Sequence, residues 1–267
     1  MAKHVAFSNP PVVEVVFGTL FGTPRPIKLA HMGLFWDKVR KEFPRTEDAP
    51  PLLPAIERYE TTPPLTAAPF PLGSRIWLLS LSGDALLQIQ PDRFLFNWKR
   101  PGTDTTAPSY PGFEAVAQRF EDYLRRFAQF LSTEGIGAPA YRQFELAYIN
   151  RMIPPADQGL SNHEMFVDHA PGPAKNRFLP TPEGFAWNTS YPFSGQAGRL
   201  HVVAKTVLAP PSMEQFVQLE MVARGMLPGN QTEQSRVSWF EMAHEWIVKG
   251  FVDVTSPLLH DRWGRTS

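Results

Sequence analysis

Seven histidines, 26 carboxylates, 26 lysines and arginines and no cysteine are the side chains from which any chemistry in this 267-residue chain is built. Without a thiol there is no disulfide framework, cysteine nucleophile, iron–sulfur cluster or zinc ribbon. The histidines are His4, His31, His163, His169, His201, His244 and His260. No two stand four apart, the spacing at which one helix face presents paired imidazoles to zinc. His163 and His169, with Glu164 and Asp168 between them, are the nearest cluster. They fall in a proline-rich connection whose ordinary reading is a solvated loop, so neither a metal nor a cofactor is expected. His244 lies on an apolar helix stripe, either as a core histidine held by one hydrogen bond or as a base. Nucleophilic catalysis has no signature: there is no Gly-x-Ser-x-Gly elbow and no Ser-x-x-Lys at a helix start. Gly18 and Gly22 lack the third glycine and following helix of a phosphate-binding loop. Glu14, Glu145 and Glu220 interrupt strands, as outward-facing positions or as buried partners of an arginine. No catalytic residue is assigned.

The densest unusual segment is 88–100, QIQPDRFLFNWKR. In a strand, Phe94, Phe96 and Trp98 share one face while Arg93, Leu95, Asn97 and Lys99 share the other. Three same-face aromatics followed by Lys99 and Arg100 fit a stacking platform for single-stranded nucleic acid. They fit equally well under Phe120 and Phe127 of the following helix, and core packing is the favoured reading. The amides Gln88, Gln90 and Asn97 must find partners inside an apolar neighbourhood. They line a pocket or tie down a neighbouring loop. Near the C-terminus, Trp263 and Arg265 either dock on their own domain or anchor another chain. Gln90, Arg93, Asn97, Trp98, Trp263 and Arg265 are therefore the candidate binding residues.

The elements that must position them follow from periodicity. Residues 12–20 are β-branched and nearly all apolar, as a central strand requires. Met32, Phe35, Trp36, Val39 and Phe43 form a helical stripe within 28–43. Residues 75–82 and 85–98 read as a hairpin across Ser82-Gly83-Asp84, with Pro91-Asp92 placing a bulge or break in the second strand. Phe113, Val116, Phe120, Leu124, Phe127 and Leu131 define the clearest helix, stopped by glycine at 135 and 137. Residues 141–152 return as a strand. That order, βαββαβ, predicts a ferredoxin-like first half over 1–153. A proline-rich connection, 154–182, leads to strands at 184–192, 199–208 and 215–224 and a last helix over 235–252. Together they predict an α+β protein with an antiparallel sheet, the part from 183 to 267 packed as one unit with the first half.

Composition narrows the class. Twenty-eight prolines, about twice an average usage of roughly 5%, punctuate the chain. The formal net charge is zero, so no overall field draws the protein to nucleic acid or an anionic membrane. No apolar run approaches the roughly 20 residues that span a bilayer, and residues 1–7 lack a secretory signal pattern. A cytoplasmic location is expected.

Several stretches are informative as a set: residues 9–17 (NPPVVEVVF), 88–94 running into Asn97-Trp98-Lys99, Tyr110-Pro111, Tyr148-Ile149-Asn150 and Trp263-Gly264-Arg265. In that order and spacing, over nearly the whole chain, they resemble a sporadically distributed bacterial family of uncharacterised full-length proteins. The chain departs from the family pattern at Pro91, where a basic residue is more usual. The resemblance implies one full-length unit, without implying an activity, cofactor or catalytic residues. Patchy distribution is typical of mobile accessory genes, including defence and toxin–antitoxin systems, and so implies a partner-binding role. The expected function is a non-enzymatic interaction component, its partner another protein or a second copy of itself. Two alternatives stand beside it: a single-stranded RNA or DNA binder using Phe94, Phe96 and Trp98, and an enzyme whose base is His244 or Glu220 assisted by Arg224.

Overall fold

The structure is a computed structural model and describes residues 5–53, 55–57, 74–102, 109–153, 164–167, 178, 182–210, 213–226, 229 and 231–266. Its strands are β1 (Val12–Gly22), β2 (Arg45–Ala49), β3 (Arg75–Leu79), β4 (Ala85–Gln90), β5 (Arg93–Lys99), β6 (Ala140–Met152), β7 (Ala186–Pro192), β8 (Gly198–Ala209) and β9 (Glu214–Gly225). The helices are α1 (Leu29–Val39), α2 (Phe113–Thr133), α3 (Glu233–Val254) and the short α4 (Pro257–Arg262). All nine strands form one sheet in the order β2-β3-β4-β5-β1-β6-β9-β8-β7. Every pairing is antiparallel. The protein is thus α+β, and the β6–β9 pairing carries the sheet from the first half into the second. Most of the connection expected at 154–182 lies outside the described residues. Of it, Phe166 makes an isolated bridge to Thr255.

The strand expected over 85–98 is two strands. Pro91-Asp92 forms a tight turn, and β4 pairs back on β5 with Gln90 opposite Arg93 and Ile89 opposite Phe94. The physical reason is visible in the alternation. Leu87 and Ile89 are odd-numbered and Phe94, Phe96 and Trp98 even-numbered, so one continuous strand would put them on opposite faces. The turn reverses the chain and gathers all five on the same buried face. Between β1 and β6 the strand count is therefore four, including β2, whose charged and exposed sequence carries no strand signal.

The helices cover one face of the sheet. Phe94 packs on Phe35 of α1 and stacks on Phe127 of α2, with ring centroids 6.4 and 4.9 Å away. Phe17, at the centre of β1, meets Phe120 of α2 at 5.4 Å and Phe240 of α3 at 5.0 Å. Arg236 of α3 clasps Glu121 of α2, with Nε donating to Oε1 at 2.8 Å and Nη2 to Oε2 at 2.5 Å. The end of α2 is set by Gly135, at φ +70°, the left-handed conformation in which glycine closes a helix at little cost.

The opposite face carries a small apolar cluster of Val16, Leu95, Ala147 and Val222. Across it runs a strap of residues 50–53 and 55–57. Gln90 accepts from the Leu52 N–H and donates to the Leu52 carbonyl, at 2.9 and 3.1 Å. Gln143 repeats the device, donating to the Ala55 carbonyl and accepting from the Glu57 N–H, at 2.8 Å each. The two strand amides stand in for the backbone ladder that an extended segment crossing a sheet face lacks.

Candidate functional site

On the helix side, at one end of the sheet, four stretches, together with Met221 of β9, line an open cavity of about 330 Å³. They are residues 5–12 leading into β1, residues 109–114 leading into α2, β6 through Tyr148 and Asn150, and α3 through His244, Ile247, Val248 and Phe251. Tyr148 alternates with Leu146 and Phe144 and so points toward the helices, where it is buried. A buried hydroxyl needs partners, and Tyr148 has two: Tyr110 Oη at 2.8 Å and His244 Nδ1 at 3.1 Å. The His244 ring lies flat on Phe113, centroids 4.2 Å apart and planes 9° apart. Burial pushes the Tyr110 hydroxyl up, partly offset by its bond to Tyr148, with the Glu114 charge adding to the rise. Burial likewise holds Tyr148 well above the ordinary tyrosine value, with smaller contributions from Tyr110 and Glu114. Both are neutral hydroxyls near pH 7. The cavity offers a hydrogen-bonded Tyr–Tyr–His run within otherwise largely apolar walls.

The other face holds a second polar assembly. Arg75 Nη1 and Trp77 Nε1 donate to Gln88 Oε1 at 2.9 and 3.0 Å. Gln88 donates to Asn97 at 2.9 Å, and Asn97 donates to the Glu14 carboxylate at 2.5 Å. Lys99 stands 4.0 Å from the same carboxylate. The run links polar side chains on four neighbouring strands, and Arg75 Nε within it is buried without a hydrogen-bond partner. Further along, Glu57 of the strap sits between Arg199 Nη1 at 2.9 Å and His201 Nε2 at 2.5 Å. Burial pushes its carboxyl up, but these partners outweigh that and hold it below the ordinary carboxylate value.

The candidate binding residues do not form one site. Asn97 and Trp98 are consecutive in β5 and necessarily face opposite sides of the sheet. Gln90 holds Leu52, Arg93 donates to the Leu53 carbonyl at 3.3 Å, and Asn97 sits within the polar run. Of the two alternatives for the amides, tying down a loop is therefore the one seen at Gln90. Trp98 is 3% exposed and packs behind Tyr110 at 5.2 Å. Trp263 is docked on its own chain, behind Phe251 at 5.1 Å and Phe7 at 6.3 Å. Arg265 pairs with Phe7 through the backbone and reaches His260 Nδ1 at 3.2 Å. Trp98 and Trp263 thus back the cavity walls, whereas Gln90, Arg93 and Asn97 lie across the sheet.

Phe94 and Phe96 are fully buried, Phe94 against α2 and Phe96 stacked on Tyr123 at 5.7 Å. The aromatic strand face is core and has no surface on which a base could stack. Arg224 donates to Glu145 at 2.5 Å, while Glu220 bonds Lys205 at 3.3 Å and Gln218 at 2.5 Å. Arg224 stands four steps beyond Glu220, about 13 Å along the strand, so the arginine does not assist that carboxylate. His163 and His169 lie outside the described residues.

Tyr110 and Tyr148 emerge from the structure as members of the site. In the sequence each stood out only within a short motif, Tyr110-Pro111 and Tyr148-Ile149-Asn150. Among the described residues, no group of three or more His, Asp or Glu side chains converges to hold a metal, and no helix is long and apolar enough to cross a membrane. Set against known proteins, the chain matches no family model, no curated protein and no solved structure.

Proposed function

We propose that this protein is a non-enzymatic binding component whose ligand sits in the cavity against Tyr110, Tyr148 and His244. One observation carries the reading: a cleft of about 330 Å³, at the lower end of the roughly 300–1,000 Å³ of small-ligand sites, with apolar walls and a few converging polar groups. Its role in a bacterial accessory system, with a protein partner, rests on the sequence resemblance, and its cytoplasmic location on the composition. The adjacency β4-β5-β1-β6, with α1 and α2 in the connections, supports a ferredoxin-like reading of the first half to which β2 and β3 are added.

Val248 lines the cavity from α3 and is only half-buried, so a larger side chain there fills the space while sparing the central core. Saturation-transfer NMR with a library of small apolar and amphipathic fragments is expected to find binders whose signals vanish with V248F. Binders indifferent to V248F, or none at all, would overturn the cavity as the site. The position of His244 favours a second reading, general-base catalysis. The two part on prolonged incubation: a binding module returns its ligands unchanged, whereas an enzyme converts one of them and loses that activity in H244A.

A further inference from the structure

We infer that the cavity takes a small organic cation, an ammonium group on an apolar body; this rests on reading the cavity as the ligand site. Charge and wall chemistry carry it. Of the described lining residues, Glu114 is the one acid, and neither lysine nor arginine is present. Phe7, Tyr110, Phe113, Tyr148 and Phe251 give the walls five aromatic rings, and such rings attract cations held within about 6 Å of their centroids.

Glu114 sets the sign of the local field. The Glu114 charge is among the causes, behind burial, that push both hydroxyls up. Burial opposes a charge of either sign, so it is the part of the rise due to Glu114 that disfavours an anion and draws a cation. The N-terminus of α2 pulls the other way from its Gly112 cap. Its effective charge of roughly one half is smaller than the unit charge of Glu114 in the same first turn. Hydrogen bonding points in the same direction. In the tautomer that carries its proton on Nε2, His244 accepts at Nδ1 from Tyr148, and with Tyr148 accepting from Tyr110 the hydroxyl protons run toward the imidazole. The Tyr110 oxygen then keeps lone pairs for an incoming N–H. A quaternary ammonium would use the rings and Glu114 alone.

The test is calorimetric titration of the full chain with choline chloride, with its neutral carbon isostere dimethylbutanol and with inorganic phosphate. Choline is expected to bind about 3- to 30-fold more tightly than the alcohol, and phosphate not at all. Glu114 is exposed in the first turn of α2, so E114Q leaves the fold intact and is expected to remove at least half of the choline preference. Equal binding of choline and alcohol, both lost in V248F, would overturn the cation and keep the site. Phosphate displacing choline, or a choline preference untouched by E114Q, would also overturn the cation. Failure of both choline and alcohol to bind would overturn the site with it.

Discussion

Tyr148 shows how a single side chain can serve both structure and site. It is a buried strand residue whose hydroxyl has two partners, Tyr110 and His244, and whose ring helps to wall the cavity. Removing only the oxygen, as in Y148F, strands one hydrogen-bonding position on each partner while leaving the ring packing in place. The expected cost is about 1–2 kcal/mol, read as a lower urea midpoint with an unchanged slope and an unaltered far-ultraviolet circular dichroism spectrum. Only part of this residue's role was legible in the sequence. Alternation placed 148 on the face of 144 and 146, and the stripe in α3 placed His244 inward. Their meeting, 96 positions apart, depends on the pairing of β6 with β1 and β9, which no local pattern encodes.

At the scale of elements, the strap shows polar strand residues working as a substitute ladder. Gln143 holds the strap with two hydrogen bonds, donating to the Ala55 carbonyl and accepting from the Glu57 N–H, so Q143A is expected to loosen that end by about 1 kcal/mol or slightly more. Hydrogen exchange at the Glu57 amide should quicken about fivefold or more, with the amides of β1 unaffected. The Glu57 carboxyl is held below its ordinary value by His201 and Arg199. A depressed acid contributes stability above its unfolded value, near 4.3, and loses it as pH falls through the folded one. The strap should therefore detach in acid, below the ordinary carboxylate range, before the sheet unfolds. Sequence reasoning singled out Gln90 as an amide needing partners and Arg93 as a candidate binding residue. The strap residues themselves gave no signal, because an extended segment held by strand amides has no periodicity of its own.

For the molecule as a whole, one sheet spans both halves. Phe17 on β1 touches both α2 and α3, so the central strand joins the helices of the first half to those of the second. F17A is expected to cost about 3–5 kcal/mol. It should lower a single transition, with near- and far-ultraviolet signals still coincident. Two separated transitions would mean that the halves unfold independently. Trp263 and Phe7 act at the same scale, bringing the two ends of the described chain together behind the cavity. The site thus requires residues from positions 5 to 251 to be in place at once.

The sequence alone determined what repeats over short distances: the apolar stripes of α2 and α3, the central strand at 12–20, the glycine stop after α2, and the absence of cysteine chemistry and net charge. It also held the parity change at Pro91-Asp92, read there as a bulge or break, that turns one strand into two. Tertiary structure decided which strands neighbour which, that the aromatic row of β5 lies beneath α2, and that Asn97 and Trp98 serve opposite faces. It also decided that Tyr110, Tyr148 and His244 converge. Periodicity reports which face of an element avoids water. Which other element covers that face depends on the order of strands and on loop closures across the chain.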